Sequence, residues 1–498
     1  MPKETFSLSA FVKKARDLMR QDAGINGDAQ RIEQLVWLLF LKIYSENELD
    51  REATERNYTP FLPQKLRWET WAHDKLDGKA LTGDKLIDFV NTDLFRAVQK
   101  LPLPANASAR ERLVKTVFSD NRNSMKDGTL LRRLINLVDE IPLEKHSERH
   151  DFGEIYETIL RELQSAGSAG EFYTPRALTD FIAETLAPKL GDRIADFACG
   201  TGGFLISALK ILDAQTKTGY DRNRLVASLF GIEKKPFPFM LCATNLLLHG
   251  IDAPNITLGN SLRENYLELR DAPEREKFDI ILMNPPYGGS ETADIKSNFP
   301  TEFRSSETAD LFMAVIMARL NRHGRAAVIL PDGFLFGAEA PQIALKKQLF
   351  ENFNLHTVVR LPNGVFAPYT GITTNILFFD AGTPTKETWF FRLDLPAEIR
   401  SFSKTKPFTP AHLDPVREWW KNRREFSDES GYPVSKKIAA KELAEEDYNL
   451  DQCGFVSTET ETQPLEKILP EYKKELRGLQ KKLDAVLAEI DTLLKEKK

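Results

Sequence analysis

Cysteine, histidine and net positive charge are all scarce in this chain, and each shortage closes off a class of function. Its 498 residues include 3 cysteines, Cys199, Cys242 and Cys453, scattered without metal-ligand spacing or a disulfide framework. That usage suits a reducing cytoplasm, where the chain is expected to work. The 7 histidines form no Ser-His-Asp pattern. His146 and His150 stand at helical spacing with Glu144, Glu148 and Asp151 beside them but no cysteine, and the stretch reads as a solvated loop, so no metal is expected. Apolar runs such as Leu35 to Leu41 are far too short to cross a bilayer, so no membrane association is expected. The first residues, Met-Pro-Lys-Glu-Thr, are charged and polar rather than signal-like. A formal net charge of −5 is not that of a protein gripping DNA alone, because nonspecific affinity comes from neutralising phosphates.

What is present is a good core and a clear division of labour. The 42% hydrophobic content supplies a good core, and the length predicts two or three domains. Residues 1–150 read as a helical domain, with apolar residues at helical spacing over Ser9–Met19 and Arg31–Tyr44; Trp37 reads as core or interface. Over 151–380, apolar runs of strand length alternate with helical stretches, which predicts an α/β domain with a parallel sheet and crossover helices. Candidate strands are 192–197, 229–233, 255–258, 278–283, 325–331, 356–361 and 373–379. Residues 381–460 read as a mixed, Pro-rich extension, and 461–498 as a coiled-coil helix.

Two points in the α/β block carry chemistry. Ile194–Phe197 reads as a strand, followed by Ala198-Cys199-Gly200-Thr201-Gly202-Gly203-Phe204 and an apolar helix from Leu205 to Leu212. Strand, glycine turn and helix open the cofactor cleft of a doubly wound sheet. The spacing is neither G-x-G-x-x-G nor a P-loop. The next strand, Leu229–Glu233, ends in a carboxylate that can accept both ribose hydroxyls of a nucleoside cofactor. Further on, the apolar run Phe278–Met283 leads into Asn284-Pro285-Pro286-Tyr287. Pro-Pro after a strand also reads as a simple turn. The tetrapeptide, however, puts a carboxamide, a fixed carbonyl and an aromatic ring at one point. An amino group conjugated to a ring is a poor nucleophile. The Asn284 oxygen and the Pro285 carbonyl can take its two hydrogens and draw the nitrogen toward sp3 character, while Tyr287 stacks on the ring.

With these residues in order, the chain resembles the S-adenosyl-L-methionine-dependent DNA amino-methyltransferases, and more narrowly the modification (M) subunit of type I restriction-modification systems. The likeness covers nearly the whole chain. Gly170-Glu171-Phe172-Tyr173-Thr174-Pro175-Arg176 is similar to the family segment that covers the methionine part of the cofactor. Asp196 through Phe204 is similar to the cofactor turn, although the family usually has Pro where Phe197 stands. Glu233 matches the ribose acid, Asn260 falls where the family places a residue near the adenine ring, and Asn284–Tyr287 matches the catalytic tetrapeptide, whose last position is often Phe. Asp310-Leu311-Phe312, Gly324–Phe336, Gly364-Val365-Phe366 and Thr370–Phe379 match later segments.

The resemblance implies a seven-stranded Rossmann-like sheet with an antiparallel final strand. It also implies methyl transfer to the N6 amino group of adenine in duplex DNA, with the base flipped out of the stack. The expected partners are duplex DNA, a specificity (S) subunit and, in the full complex, a restriction (R) subunit, with two M chains per S subunit. The acidic balance agrees, since DNA reading is then delegated. Asn rather than Ser at the first tetrapeptide position favours adenine over cytosine N4. The alternative is a stand-alone adenine or cytosine-N4 methyltransferase of a type IIG or phage-defence system. Those enzymes carry a long target-recognition region, for which the stretch after Asp380 is short. Release-factor glutamine methyltransferases share the tetrapeptide but are much shorter and lack the C-terminal heptads.

Two features stay outside the catalytic core. Lys404, Lys406, Arg417, Lys421, Arg423 and Arg424 surround Trp419 and Trp420, either as a DNA contact or as a solvated helix face over a buried tryptophan. Leu465, Leu469, Tyr472, Leu476, Leu479, Leu483, Val486, Ile490 and Leu493 form a heptad seam flanked by Lys and Glu, with Pro470 marking the start of the helix. That seam is expected to bind the specificity subunit.

Overall fold

The computed structural model describes residues 8–74, 80–142, 153, 156–161, 173–454 and 480. His146, His150, Glu171, Phe172 and the heptad positions from Leu465 to Leu493 lie outside the described residues. The chain divides into two units, Met1–Cys453 and Gly454–Lys498, and the first holds every strand of the sheet.

Helices Leu8–Arg20 and Asp28–Thr54 form where the apolar spacing predicts them. The second is buried on every side from Leu35 to Ser45, so it runs through the middle of its core rather than along a surface. Trp37 is fully buried and meets the Phe95 ring edge-on at 5.1 Å, as core. Lys42 reaches Glu46 at 2.8 Å and the Asp139 carbonyl at 3.1 Å. The helical core is closed by Phe239, Met240, Leu241 and Leu247, which belong to the helix Pro236–Leu248 of the α/β block. One apolar helix therefore serves two cores.

The strands are β1 (Ile194–Asp196), β2 (Leu229–Glu233), β3 (Asn255–Leu258), β4 (Phe278–Met283), β5 (Leu320–Pro331), β6 (Phe353–Arg360) and β7 (Thr374–Ala381). β1 to β5 pair in parallel, and β7 runs antiparallel between β5 and β6. In β4, Ile281 and Met283 enter the core on one face, while Ile280 and Leu282 enter it on the other. Burial on both faces is why this run lacks polar alternation.

Among the described residues the sheet holds ten strands rather than the seven expected, the first seven in the order β3-β2-β1-β4-β5-β7-β6. β8 (Glu387–Arg392) lies parallel on β6, β10 (Pro433–Ala439) antiparallel on β8, and β9 (Phe426–Ser427) ends the sheet. The seven-strand expectation ends at Asp380 and takes residues 381–460 as a mixed extension. Without β8, however, β6 would present an open edge beside Val358 and Val359. Phe390 and Phe391 of β8 bury on opposite faces and extend both cores over that edge.

The helix Asp414–Lys421 fastens this addition. Trp419 is buried 4.8 Å from the Phe391 ring, Trp420 packs 4.9 Å from Phe378, and Arg423 lies over Trp420 at 4.2 Å. Arg417 pairs with Glu184 at 3.0 Å. Both tryptophans of the basic cluster are thus packing residues. Among the described residues no helix is long and apolar enough to cross a membrane.

Candidate active site

Strand order reverses at β1. The chain moves outward through β2 and β3, then returns to lay β4 on the opposite side of β1. Ligands of doubly wound sheets lodge at such a switch point, beyond the carboxyl ends of the strands. A cavity of about 490 Å³ opens there. Its walls include Tyr173, Thr174, Gly200, Glu233, Asn260, Asn284, Pro285, Pro286 and Tyr287, all expected site residues.

Glu233, the last residue of β2, is buried, with Oε2 accepting from Gly200 N–H at 3.0 Å and Oε1 from Lys235 N–H at 2.8 Å. Burial raises its pKa above the ordinary carboxylate range, and these N–H groups oppose the shift. Asp196 ends β1 beneath the glycine turn and does not line the cavity. Its Oδ1 accepts from Ala198 N–H at 3.1 Å, and burial, with Glu233 nearby, pushes its pKa up to about 8.

The glycine turn is shaped from below. Gly202 has φ +80°, a left-handed conformation, and a Cβ there would lie 2.9 Å from Cys242 Sγ. The protein interior by itself already requires glycine at 202. A Cβ on Gly203 would fall 1.9 Å from Arg176 Nη1. Arg176, expected at the cofactor, is instead committed to Glu157, with Nη2 donating to Oε1 at 2.9 Å and Nε donating to Oε2. Burial raises the Glu157 pKa and the guanidinium more than offsets it, leaving that carboxyl below its ordinary range. Glu157 also accepts from Asn245 Nδ2, which donates in turn to the Thr201 carbonyl at 3.0 Å. Pro175 caps the helix Arg176–Leu186, and Phe204 is core. Arg176, Thr201, Gly202, Gly203, Pro175 and Phe204 therefore build the floor without lining the cavity.

At the end of β4, Asn284 Nδ2 donates to Thr174 Oγ1 at 3.1 Å, while its Oδ1 accepts from the Tyr287 hydroxyl. That hydroxyl also lies 3.4 Å from the Ile329 carbonyl. Burial, with Tyr369 beside it, keeps Tyr287 protonated well above its ordinary range. Asn260 Oδ1 accepts from Leu262 N–H at 3.0 Å, fixing the turn after β3.

Sequence reasoning missed part of the rim. Tyr369 and Ile372, 36% and 47% exposed, stand at the cavity mouth in the loop between β6 and β7. Gly364 and Gly371 around Tyr369, with Ile372 directly after, were the available signal. Lys234 and Glu291 pair at 2.9 Å and also line the cavity, linking the end of β2 to the loop after the tetrapeptide.

The N-6 DNA methylase family profile matches residues 147–463, which span the turn, Glu233 and the tetrapeptide. The chain belongs to the N-6 DNA methylase family. Residues 8–138 match the HsdM N-terminal domain. Among relatives of this N-6 DNA methylase is the methylase subunit of the type I restriction enzyme EcoEI from Escherichia coli. It is 46% identical over 470 residues, which are 94% of each chain. The methylase subunit of EcoKI, from Escherichia coli, is 29% identical over 405 residues, 77% of this chain and 70% of that one. Among solved structures, a type I modification subunit from Vibrio vulnificus superposes with a TM-score of 0.75 at 39% identity, covering 88% of this chain and 92% of that one. A chain from a structure of type I restriction-modification complex assembly gives 0.80 at 31% identity, covering 98% and 99%.

Proposed function

We propose that this chain transfers a methyl group from S-adenosyl-L-methionine to the N6 amino group of adenine in duplex DNA, as the modification subunit of a type I restriction-modification complex. One observation carries the reading: the Asn284–Tyr287 tetrapeptide and the Glu233 carboxylate line a single cavity at the switch point of the sheet.

The donor set fits the cofactor. Glu233 offers a carboxylate at the end of β2 for two ribose hydroxyls, and Gly200 presents backbone without a side chain in the way. Tyr173 and Thr174 are assigned to the methionine end, Asp196 to the glycine turn that carries the cofactor, and Asn260 to the adenine ring. Glu171 and Phe172 are assigned with them by resemblance alone. Bound S-adenosyl-L-methionine supplies an electrophilic methyl group on sulfonium.

The target nitrogen is out of reach in stacked DNA, so the base must enter the cavity flipped. There Asn284 Oδ1 and the Pro285 carbonyl accept the amine hydrogens, Pro286 fixes the direction of the turn, and Tyr287 stacks on the ring. Rate then comes largely from orientation. The amine becomes acidic as it is methylated and releases its proton to water or to Asn284 Oδ1, so no strongly basic side chain is needed.

The heptad seam over Leu465–Leu493 is assigned to the specificity subunit, with two M chains per S subunit and the restriction subunit joining the full complex. The helical region of residues 1–150 and the sheet domain are proposed as separate functional blocks. The test is methyl transfer from tritiated cofactor to duplex DNA by the chain together with its specificity partner, followed by nucleoside digestion. N6-methyladenine is expected. N4-methylcytosine, or no labelled nucleoside, would overturn the proposal.

A further inference from the structure

A carboxamide can sit in its socket in two nearly isosteric orientations, one presenting oxygen and the other presenting two N–H donors. Only the first can accept a hydrogen from an amine. The second sets donor against donor. Pro285 comes directly after Asn284 and has no N–H with which to read the side chain, so side-chain neighbours must decide.

The structure records two such neighbours, and they are not equivalent. The Tyr287 hydroxyl donates to Oδ1, the atom the target amine must reach. It competes with the substrate and has the Ile329 carbonyl at 3.4 Å as another acceptor. Thr174 Oγ1 accepts from Nδ2 at 3.1 Å and leaves Oδ1 free. Once an amine replaces Tyr287 at Oδ1, Thr174 is the recorded contact that still holds the amide.

Thr174 is itself held firmly. Tyr173 before it is 3% exposed and lies under the Arg176 guanidinium at 5.0 Å, and Arg176 is locked to Glu157. Pro175 after it caps the helix Arg176–Leu186. A side chain supported on both sides can hold another within the tolerance a reacting geometry requires.

We propose that Thr174 is the positioning residue that sets which atom of the Asn284 carboxamide faces the target amine. The inference rests on the adenine-N6 reading above and adds to Thr174 a role distinct from cofactor contact.

The test compares Thr174→Val, which keeps the shape and loses the hydroxyl, with Thr174→Ser, which keeps the hydroxyl. Each is assayed in the complete complex with the specificity partner. Thr174→Val should lower kcat about tenfold, a loss that raising S-adenosyl-L-methionine to saturation does not recover, and Thr174→Ser should restore most of that kcat. A second measurement does not depend on activity. In side-chain 15N–1H spectra, the Asn284 amide pair, identified by its loss in Asn284→Ala, should exchange faster with solvent in Thr174→Val but not in Thr174→Ser. Wild-type kcat in Thr174→Val, or recovery of kcat as cofactor is raised, would overturn the proposal. So would an Asn284 amide signal indifferent to the hydroxyl. If the wild-type complex yields no N6-methyladenine, the functional reading fails instead, and the spectra still report whether Thr174 anchors the amide.

Discussion

The Tyr287 hydroxyl donates to Oδ1 of Asn284, so the ring assigned to stack on the base also occupies the atom assigned to receive its amine. A flipped adenine must displace that hydroxyl before the amide can act. The Ile329 carbonyl, 3.4 Å from the same hydroxyl, lets it turn away without stranding a buried donor. In the proposed reaction, binding the base and freeing the acceptor are thus one movement of one side chain.

Asn284→Ala removes one of two acceptors for the amine and should abolish transfer while leaving S-adenosyl-L-methionine binding nearly intact. Tyr287→Phe, which frees Oδ1 and keeps the ring, should remain active. Tyr287→Ala should weaken base binding by about 1–3 kcal/mol, the usual worth of a stacked ring. Tritium transfer beside a cofactor titration reads all three. Substantial activity in Asn284→Ala would remove the carboxamide from the mechanism.

Glu233→Ala should weaken the cofactor by about 1.5–3 kcal/mol for each charge-assisted hydrogen bond lost. The variant also leaves the Gly200 and Lys235 N–H groups without their carboxylate, so thermal stability should fall alongside. Calorimetry on the purified chain decides the matter, and unchanged affinity would mean that the ribose acid lies elsewhere.

At the glycine turn, Gly202→Val meets a left-handed φ of +80° and Cys242 Sγ 2.9 Å from the new Cβ. Gly203→Ala drives a methyl group against Arg176 Nη1, 1.9 Å away. Both should destabilise the fold by about 1–3 kcal/mol, the range for overpacking, and Gly202→Val should be the worse because its backbone is strained as well. Thermal melts without cofactor check this. Losses seen only when cofactor is present would point to the ligand rather than the interior.

Asp196 should make cofactor binding depend on pH. Its folded pKa is raised to about 8, so without ligand the carboxyl still holds its proton at neutral pH. For stability the sign is that of an acid with a raised pKa: the contribution is fully present at low pH and is lost as pH rises through about 8. A cationic amino group docked at the turn above it would favour the carboxylate and release the proton. Affinity should therefore rise as pH approaches 8. Calorimetric enthalpies at neutral pH should also change with the ionisation enthalpy of the buffer, and identical enthalpies in all buffers would contradict the linkage.

Deleting residues 465–498 removes the heptad seam and leaves Met1–Cys453 whole. The truncated chain should fold, bind S-adenosyl-L-methionine and fail to assemble with its specificity subunit. The intact chain alone should bind DNA weakly and without sequence preference. Size-exclusion chromatography with the partner is the readout, and co-elution of the truncated chain at full stoichiometry would refute the assembly role.

Much of this site was legible because strand ends are local features. Glu233 closes a short apolar run, and Asn284 comes after a longer one, so each sits where a parallel strand delivers its last side chain to the cleft. The pairing of Arg176 was not legible for a matching reason. The residue that occupies it, Glu157, lies upstream across a stretch with no visible period, so nothing local marked the pair. Tyr369 and Ile372 reach the rim because their loop folds over the carboxyl ends of β5 and β4, which spacing along the chain does not encode.

By itself, the sequence determined the seven strands through β7, the glycine turn, the strand-end acid and the chemical character of the tetrapeptide. Each depends on period, apolar run length or residue type within a few positions. Only the tertiary structure decided that β8 to β10 complete the sheet, because an edge strand recruits whatever apolar strand lies within reach. Only the tertiary structure brought Thr174 to Asn284, a hydrogen bond closed across 110 residues. Contacts of that span are set by how layers pack, and residue spacing alone carries no record of them.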